Sequence, residues 1–181
     1  MIIRHLTTGD FRTAAWSGGT TTELFLYPET GSYAARDFLF RISSATVDLA
    51  ESDFTALPGV ERYITPLEGS FTLTHPGLSP VELAPLAAPY RFRGDIPTHC
   101  VGRATDFNLM LKGCQGVMEL YRGSAPIRPG FNGFYAPEDA VFSVGVHRFE
   151  MKKGQLLTVF SEESAVLSLG AAAALTCWVQ V

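Results

Sequence analysis

The chain has 181 residues, 46% of them hydrophobic, enough to bury a core as one large all-β domain or as two small packed lobes, and too apolar to stay disordered. A formal net charge of -4 without a basic stripe offers nothing to a phosphate backbone, which excludes nucleic acid as an expected partner. Cys100, Cys114 and Cys177 are widely spaced, odd in number and free of any C-x-x-C spacing, so neither a disulfide framework nor a zinc site is expected, and a reducing cytoplasm is the simplest compartment.

The opening MIIRHLTTGD lacks a sustained apolar run after its positive charges and does not read as a secretory signal. In WSGGTTTEL at 16–24, the glycine pair Gly18-Gly19 permits backbone angles closed to other residues and predicts a tight bend. A strand is then expected over 20–27, where alternation puts Thr21, Glu23, Phe25 and Tyr27 on one side and Thr22, Leu24 and Leu26 on the other. Glu23 therefore faces either solvent or something polar.

With 17 glycines and 11 prolines scattered along the chain, few windows can carry a long helix, whereas short β-rich runs recur between turn signals. Strands are expected at 38–46, 61–67, 70–75, 89–92, 107–112 and 116–122, with one short helical turn near 49–54. Further strands are expected at 131–136, 140–144, 147–151, 155–160, 165–169 and 175–179. The last two lie in AVLSLGAAAALTCWVQV, an uncharged run of seventeen residues that Gly170 interrupts; it reads as two buried strands joined by an alanine-rich turn rather than a membrane anchor. ERYITPLEGSFTLTH at 61–75 and HRFEMKKGQLLTVF at 147–160 both read as strand, charged Gly turn, strand, a faint internal echo that suggests two hairpin-containing halves.

Alternation also groups polar residues. In FLFRISSAT at 38–46, Leu39, Arg41, Ser43 and Ala45 share a face; in TDFNLMLK at 105–112, Asp106, Asn108 and Met110 do. Arg62 follows the Pro58-Gly59 turn and has the parity of Ile64. If Glu23, Arg41, Arg62, Asp106 and Asn108 lie inside one barrel mouth, each needs partners, since an unpaired buried charge is strongly disfavoured. Two arginines and two acids could satisfy one another, and the planar fork of a spare arginine suits a small organic acid. GDIPTH at 94–99 faintly follows a cupin metal motif, but His5, His75, His99 and His147 include no His-x-His pair, so no metal or other cofactor is expected and His99 is placed at a turn or rim.

Taken together, 38–73 and 92–110 resemble the HutD/Ves family of small cytoplasmic bacterial proteins. The resemblance rests on an Arg-x-Ser strand (Arg41, Ser43), a Ser-x-Phe-x-x-x-Pro-Gly-x-x-Arg turn (Ser52 to Arg62) and an Asp-Phe-Asn-x-Met strand (Asp106 to Met110). Trp16, Gly18, Gly19, Thr21 and Glu23 are similar to its Trp, Gly-rich, Thr-x-Glu opening, although this chain is two residues shorter there and lacks an Asn that follows the Trp in the commoner pattern. The resemblance implies an all-β bicupin of two cupin-like barrels, set here at 1–125 and 126–181, the second completed by strands from the N-terminal part. It implies a ligand pocket in the first, built from Trp16, Thr21, Glu23, Arg41, Ser43, Arg62, Asp106 and Asn108, with Glu23 paired to Arg41 or Arg62 and Trp16 over the mouth.

The function so implied is non-enzymatic binding of a small organic acid, an intermediate of histidine degradation among the candidates, in a protein that regulates or limits histidine utilisation. The competing expectation is an enzyme on a small carboxylate, with Glu23 or Asp106 as acid/base and Arg62 as anion clamp. No membrane is expected as a partner, and a homodimer is left open.

Overall fold

The structure is a computed structural model that describes residues 1–16 and 18–181. Its strands are β1 (Ile2–Leu6), β2 (Arg12–Trp16), β3 (Gly19–Tyr27), β4 (Phe40–Val47), β5 (Glu51–Asp53), β6 (Val60–Gly69), β7 (Phe71–Thr74), β8 (Val81–Leu83) and β9 (Tyr90–Arg93). They continue as β10 (His99–Val101), β11 (Ala104–Lys112), β12 (Gly116–Ile127), β13 (Gly130–Tyr135), β14 (Ala140–Val144), β15 (His147–Met151), β16 (Leu156–Ser161) and β17 (Ala165–Val179). The protein is all-β and barrel-like, as the frequent turn residues and short alternating runs predict.

Two compact units share the chain. One is Arg12–Gly113, the other combines Met1–Phe11 with Cys114–Val181, a division that falls before the one expected after residue 125. In the second unit β1 runs antiparallel to β16, so the first strand of the chain joins a seven-stranded sheet of order β1-β16-β13-β17-β14-β15 with β12 paired to β17. That unit is packed solid by Ile127, Phe134, Phe142, Leu157, Val159 and Leu167, each contributing about 1.5–3 kcal/mol by leaving water.

The Arg12–Gly113 unit holds a six-stranded sheet, β2-β3-β4-β11-β6-β9, and a four-stranded one, β5-β10-β7-β8. Ile64 and Phe92 of the first sheet meet Phe71, Leu73, Leu83 and Cys100 of the second in one apolar cluster. A second cluster, Leu26, Phe38, Leu57, Val60 and Met110, closes the other end of the same sheet.

Four local expectations are corrected. Residues 51–53 form β5, paired with β10, not a helical turn; the short helical turn is a 3-10 helix at Thr8–Asp10, where the Thr7 N–H and hydroxyl both donate to the Asp10 carboxylate. The 165–179 run is one strand, which bends at Gly170 (φ 61) where its register with β12 is irregular, so the small residues continue the ladder instead of ending it. The echoing segments are not hairpins: β6 leads into β7 in the other sheet, and β15 and β16 pair with β14 and with β1 and β13. Finally, Leu24 is an extra residue in β3, since Glu23 pairs with Ser43 and Phe25 with Ile42. This bulge flips the alternation, so Phe25 and Tyr27 stack on Phe40 away from the face that Glu23 shares with Ser43.

Candidate functional site

Three cross-strand rows of the six-stranded sheet carry the polar residues, because antiparallel register aligns every second position of neighbouring strands. The first row runs Thr21, Ala45, Asp106, Pro66; the second Glu23, Ser43, Asn108, Ile64; the third Leu26, Arg41, Met110, Arg62, Phe92. Both arginines thus flank Met110 in one row, with Asn108 and Asp106 in the rows beside it. These rows floor a cavity of about 390 Å³ lined by Thr21, Arg41, Ser43, Arg62, Asp106 and Asn108 among others, with Ala14, Ala15 and Trp16 contributed by β2.

Seven of the eight residues expected from the sequence line this cavity. Glu23 does not; it acts through Arg41, whose Nε donates to Glu23 Oε2 at 2.8 Å. The Arg41 guanidinium also lies over the Tyr33 ring, 4.0 Å from its centroid. Trp16, at the end of β2, is 40% exposed and folds over Gly18, where an added Cβ would stand 2.1 Å from the indole. Gly19 is required for a different reason: a Cβ there would be 2.0 Å from the Thr46 carbonyl oxygen.

Arg62 is treated differently from Arg41. It is as buried as Arg41, both 7% exposed, but its guanidinium lies 4.9 and 5.1 Å from the Phe54 and Phe92 ring centroids. Its Nη2 donates to Asn108 Oδ1 at 3.3 Å, its Nε has no partner, and among the described residues no carboxylate lies within ion-pair distance of it. The expectation that two acids would neutralise two arginines by contact is met by the Arg41–Glu23 pair alone. Burial lowers the affinity of Arg62 for its proton, against the opposing pull of Asp106.

Asp106 is 3% exposed and accepts hydrogen bonds from Asn108 Nδ2 and the Ala45 N–H. Burial nonetheless pushes its carboxyl up to about 7, outweighing Arg62, Ala45 and Asn108, which all favour the ionised form. Because Asn108 bonds to both charged neighbours, Asp106, Asn108 and Arg62 form one chain across the floor.

Two aromatic walls, Tyr33 and Phe54, are not among the expected site residues. Tyr33 lies in the irregular segment between β3 and β4, where nothing in the sequence signals its position. Phe54 follows the short β5 and was legible only as the Phe of the Ser-x-Phe motif. His99 lies within β10, with Nδ1 at 2.8 Å from Asp53 Oδ1 and Nε2 at 3.7 Å from Glu51 Oε2. Among the described residues, no group of three or more His, Cys, Asp or Glu side chains gathers as a metal site would require. Among them, too, no helix is long and apolar enough to cross a membrane.

Comparison with solved structures gives this fold over nearly the whole chain. HutD from Pseudomonas fluorescens SBW25 is similar at 22% identity with a TM-score of 0.81, covering 99% of this chain and 100% of its own. The conserved protein of unknown function PA5104 from Pseudomonas aeruginosa PAO1 is similar at 21% identity and a TM-score of 0.86, covering all of both chains. Bacterial pirin YhhW from Escherichia coli, solved in complex with nickel(II), shares the fold at 10% identity and a TM-score of 0.64, over 98% of each chain. No curated protein matches by sequence. The model of the HutD family matches residues 8–175, and with that span the chain belongs to the HutD family.

Proposed function

We propose that this HutD-family protein binds a small organic carboxylate in the Arg62 cavity and, without transforming it, regulates or limits histidine utilisation in the cytoplasm. Its two all-β units would be the cupin-like lobes of a bicupin. The observation that carries the binding reading is Arg62, a guanidinium packed against the rings of Phe54 and Phe92 in a cavity, with no carboxylate in contact among the described residues. A planar fork so placed suits a carboxylate, and burial strengthens the resulting charge-assisted hydrogen bonds. The pathway assignment follows from the family and from the name of the Pseudomonas fluorescens relative.

A second reading, an enzyme on a small carboxylate, draws on Asp106, whose carboxyl titrates near neutrality where a general acid/base works best. A nickel centre does not fit this cavity, because its lining offers two carboxylates, Asp53 and Asp106, with no imidazole or thiol beside them, and two guanidinium groups that repel a cation. Thermal-shift screening with the acids of histidine degradation, followed by incubation of each hit and analysis for product, separates the readings. A hit recovered unchanged supports binding; a product supports the enzyme; no hit among these acids overturns the pathway assignment.

A further inference from the structure

Asp106 and Arg62 are the charged floor residues without an ion-pair contact among the described residues, and Asn108 stands between them. Its Nδ2 donates to Asp106 Oδ1 while its Oδ1 accepts from Arg62 Nη2 at 3.3 Å, so the amide orientation is fixed from both ends. The carboxylate and the guanidinium therefore share a low-dielectric site without touching.

The charge count of the cavity then depends on one proton. Arg41 is offset by Glu23 in direct contact. With Asp106 ionised, the remaining Arg62 is also offset and the floor is neutral; with Asp106 protonated, one positive charge is left, which matches a monoanion. A carboxylate entering beside an ionised Asp106 would place two like charges in one buried site, an arrangement that drives one of them to take up a proton. We propose that a carboxylate ligand enters this cavity together with one proton, which comes from solvent and is held on Asp106. The proposal rests on the carboxylate reading above and deepens it into proton-coupled binding.

The neighbours of Asp106 leave it as the acceptor. From β4 come Arg41, Ser43 and Ala45, of which only Arg41 is charged; from β6 comes Arg62. From β10 comes Cys100, whose thiol burial and Asp106 push up to about 11, so it stays neutral throughout. Glu23 of β3 already holds a hydrogen-bonded cation, and Asp53, after it in the wall, is bonded to His99. Tyr33 lies under the Arg41 guanidinium. The position of the Asp106 carboxyl near neutrality means that the proton is gained or lost under ordinary conditions.

The test uses acetate as the probe and nuclear magnetic resonance of the full chain, following the Asp106 carboxyl carbon and the Arg62 Nε–H between pH 5 and 9. Saturating acetate should raise the Asp106 midpoint by about one pH unit or more, and acetate affinity should fall about tenfold per pH unit above the free midpoint. Asp106→Asn should bind acetate with an affinity that no longer varies over this range. If acetate moves the Arg62 signal but leaves the Asp106 midpoint unchanged, proton coupling is overturned and carboxylate binding stands. If acetate moves neither signal at either pH, the carboxylate reading falls and the proposal with it. The unmutated protein decides between these outcomes even if Asp106→Asn does not fold.

Discussion

Arg41 is tied to Glu23 through Nε and Oε2 at 2.8 Å, across a register in which Glu23 pairs with Ser43 on the cavity face just before the Leu24 bulge turns Phe25 and Tyr27 away. The same guanidinium covers the Tyr33 ring. Arg41 is thus committed to structure on two sides, whereas Arg62, in the same row, keeps its Nε unpartnered.

Removing the committed pair should cost stability. Glu23→Gln leaves Arg41 charged and nearly buried, and because the Glu23 side chain is 18% exposed, part of the lost contact is regained from water. Urea unfolding should show a loss of about 1–3 kcal/mol, with part of it recovered in a Glu23→Gln, Arg41→Met double variant.

Arg62 should behave the other way. Arg62→Met removes a desolvated cation packed against two phenyl rings, so stability should stay within about 1 kcal/mol of the parent or rise, while carboxylate binding is lost. Arg62→Lys keeps the charge but not the planar fork, and isothermal titration with a hit from the acid screen should show about 1–3 kcal/mol less affinity. Unchanged affinity in the Lys variant would move the anion contact to Arg41.

For Asp106, whose folded pKa is raised from 3.8 to about 7, the folded state binds the proton more tightly than the unfolded chain does. Stability from this group is therefore fully present below pH about 4, falls as pH rises through the window to about 7, and is then level, for a total of up to about 4 kcal/mol. Melting temperatures of the parent minus those of Asp106→Asn, measured from pH 4 to 8, should decline with pH. A flat difference would place the carboxyl in its ordinary range.

The two glycines at the start of β3 should separate cleanly. Gly18→Ala collides with a side chain, the Trp16 indole, which can swing away; in a Trp178→Phe background the fluorescence of Trp16 should change with little loss of stability. Gly19→Ala collides with the Thr46 backbone carbonyl, which cannot move without breaking the β3–β4 ladder, and should cost several times more in urea unfolding.

What could be read from the sequence was whatever a period of two determines. Arg41 with Ser43, and Asp106 with Asn108, needed only unbroken strands to end on one face, and both strands are unbroken there. Glu23 reached that face as well, but Phe25 and Tyr27 were assigned to it wrongly because a bulge adds one residue without a composition signal. The β5 segment read as helical because three residues are too few for any period, and its partner β10 lies far along the chain. Tyr33 is placed by tertiary packing of an irregular segment, which no local pattern encodes. The choice of Arg41 over Arg62 as the partner of Glu23 is likewise a matter of register between strands.

Because β1 is hydrogen-bonded to β16, residues near the two ends of the chain complete one unit, while the cavity-bearing unit is a single continuous stretch between them. On the ribosome, all of Arg12–Gly113 is synthesised before β12 to β17, so the cavity-bearing unit has its full complement of strands first. The nascent β1 must wait through more than half of synthesis for its partner, an unpaired edge that a chaperone or a neighbouring chain could occupy in the interval.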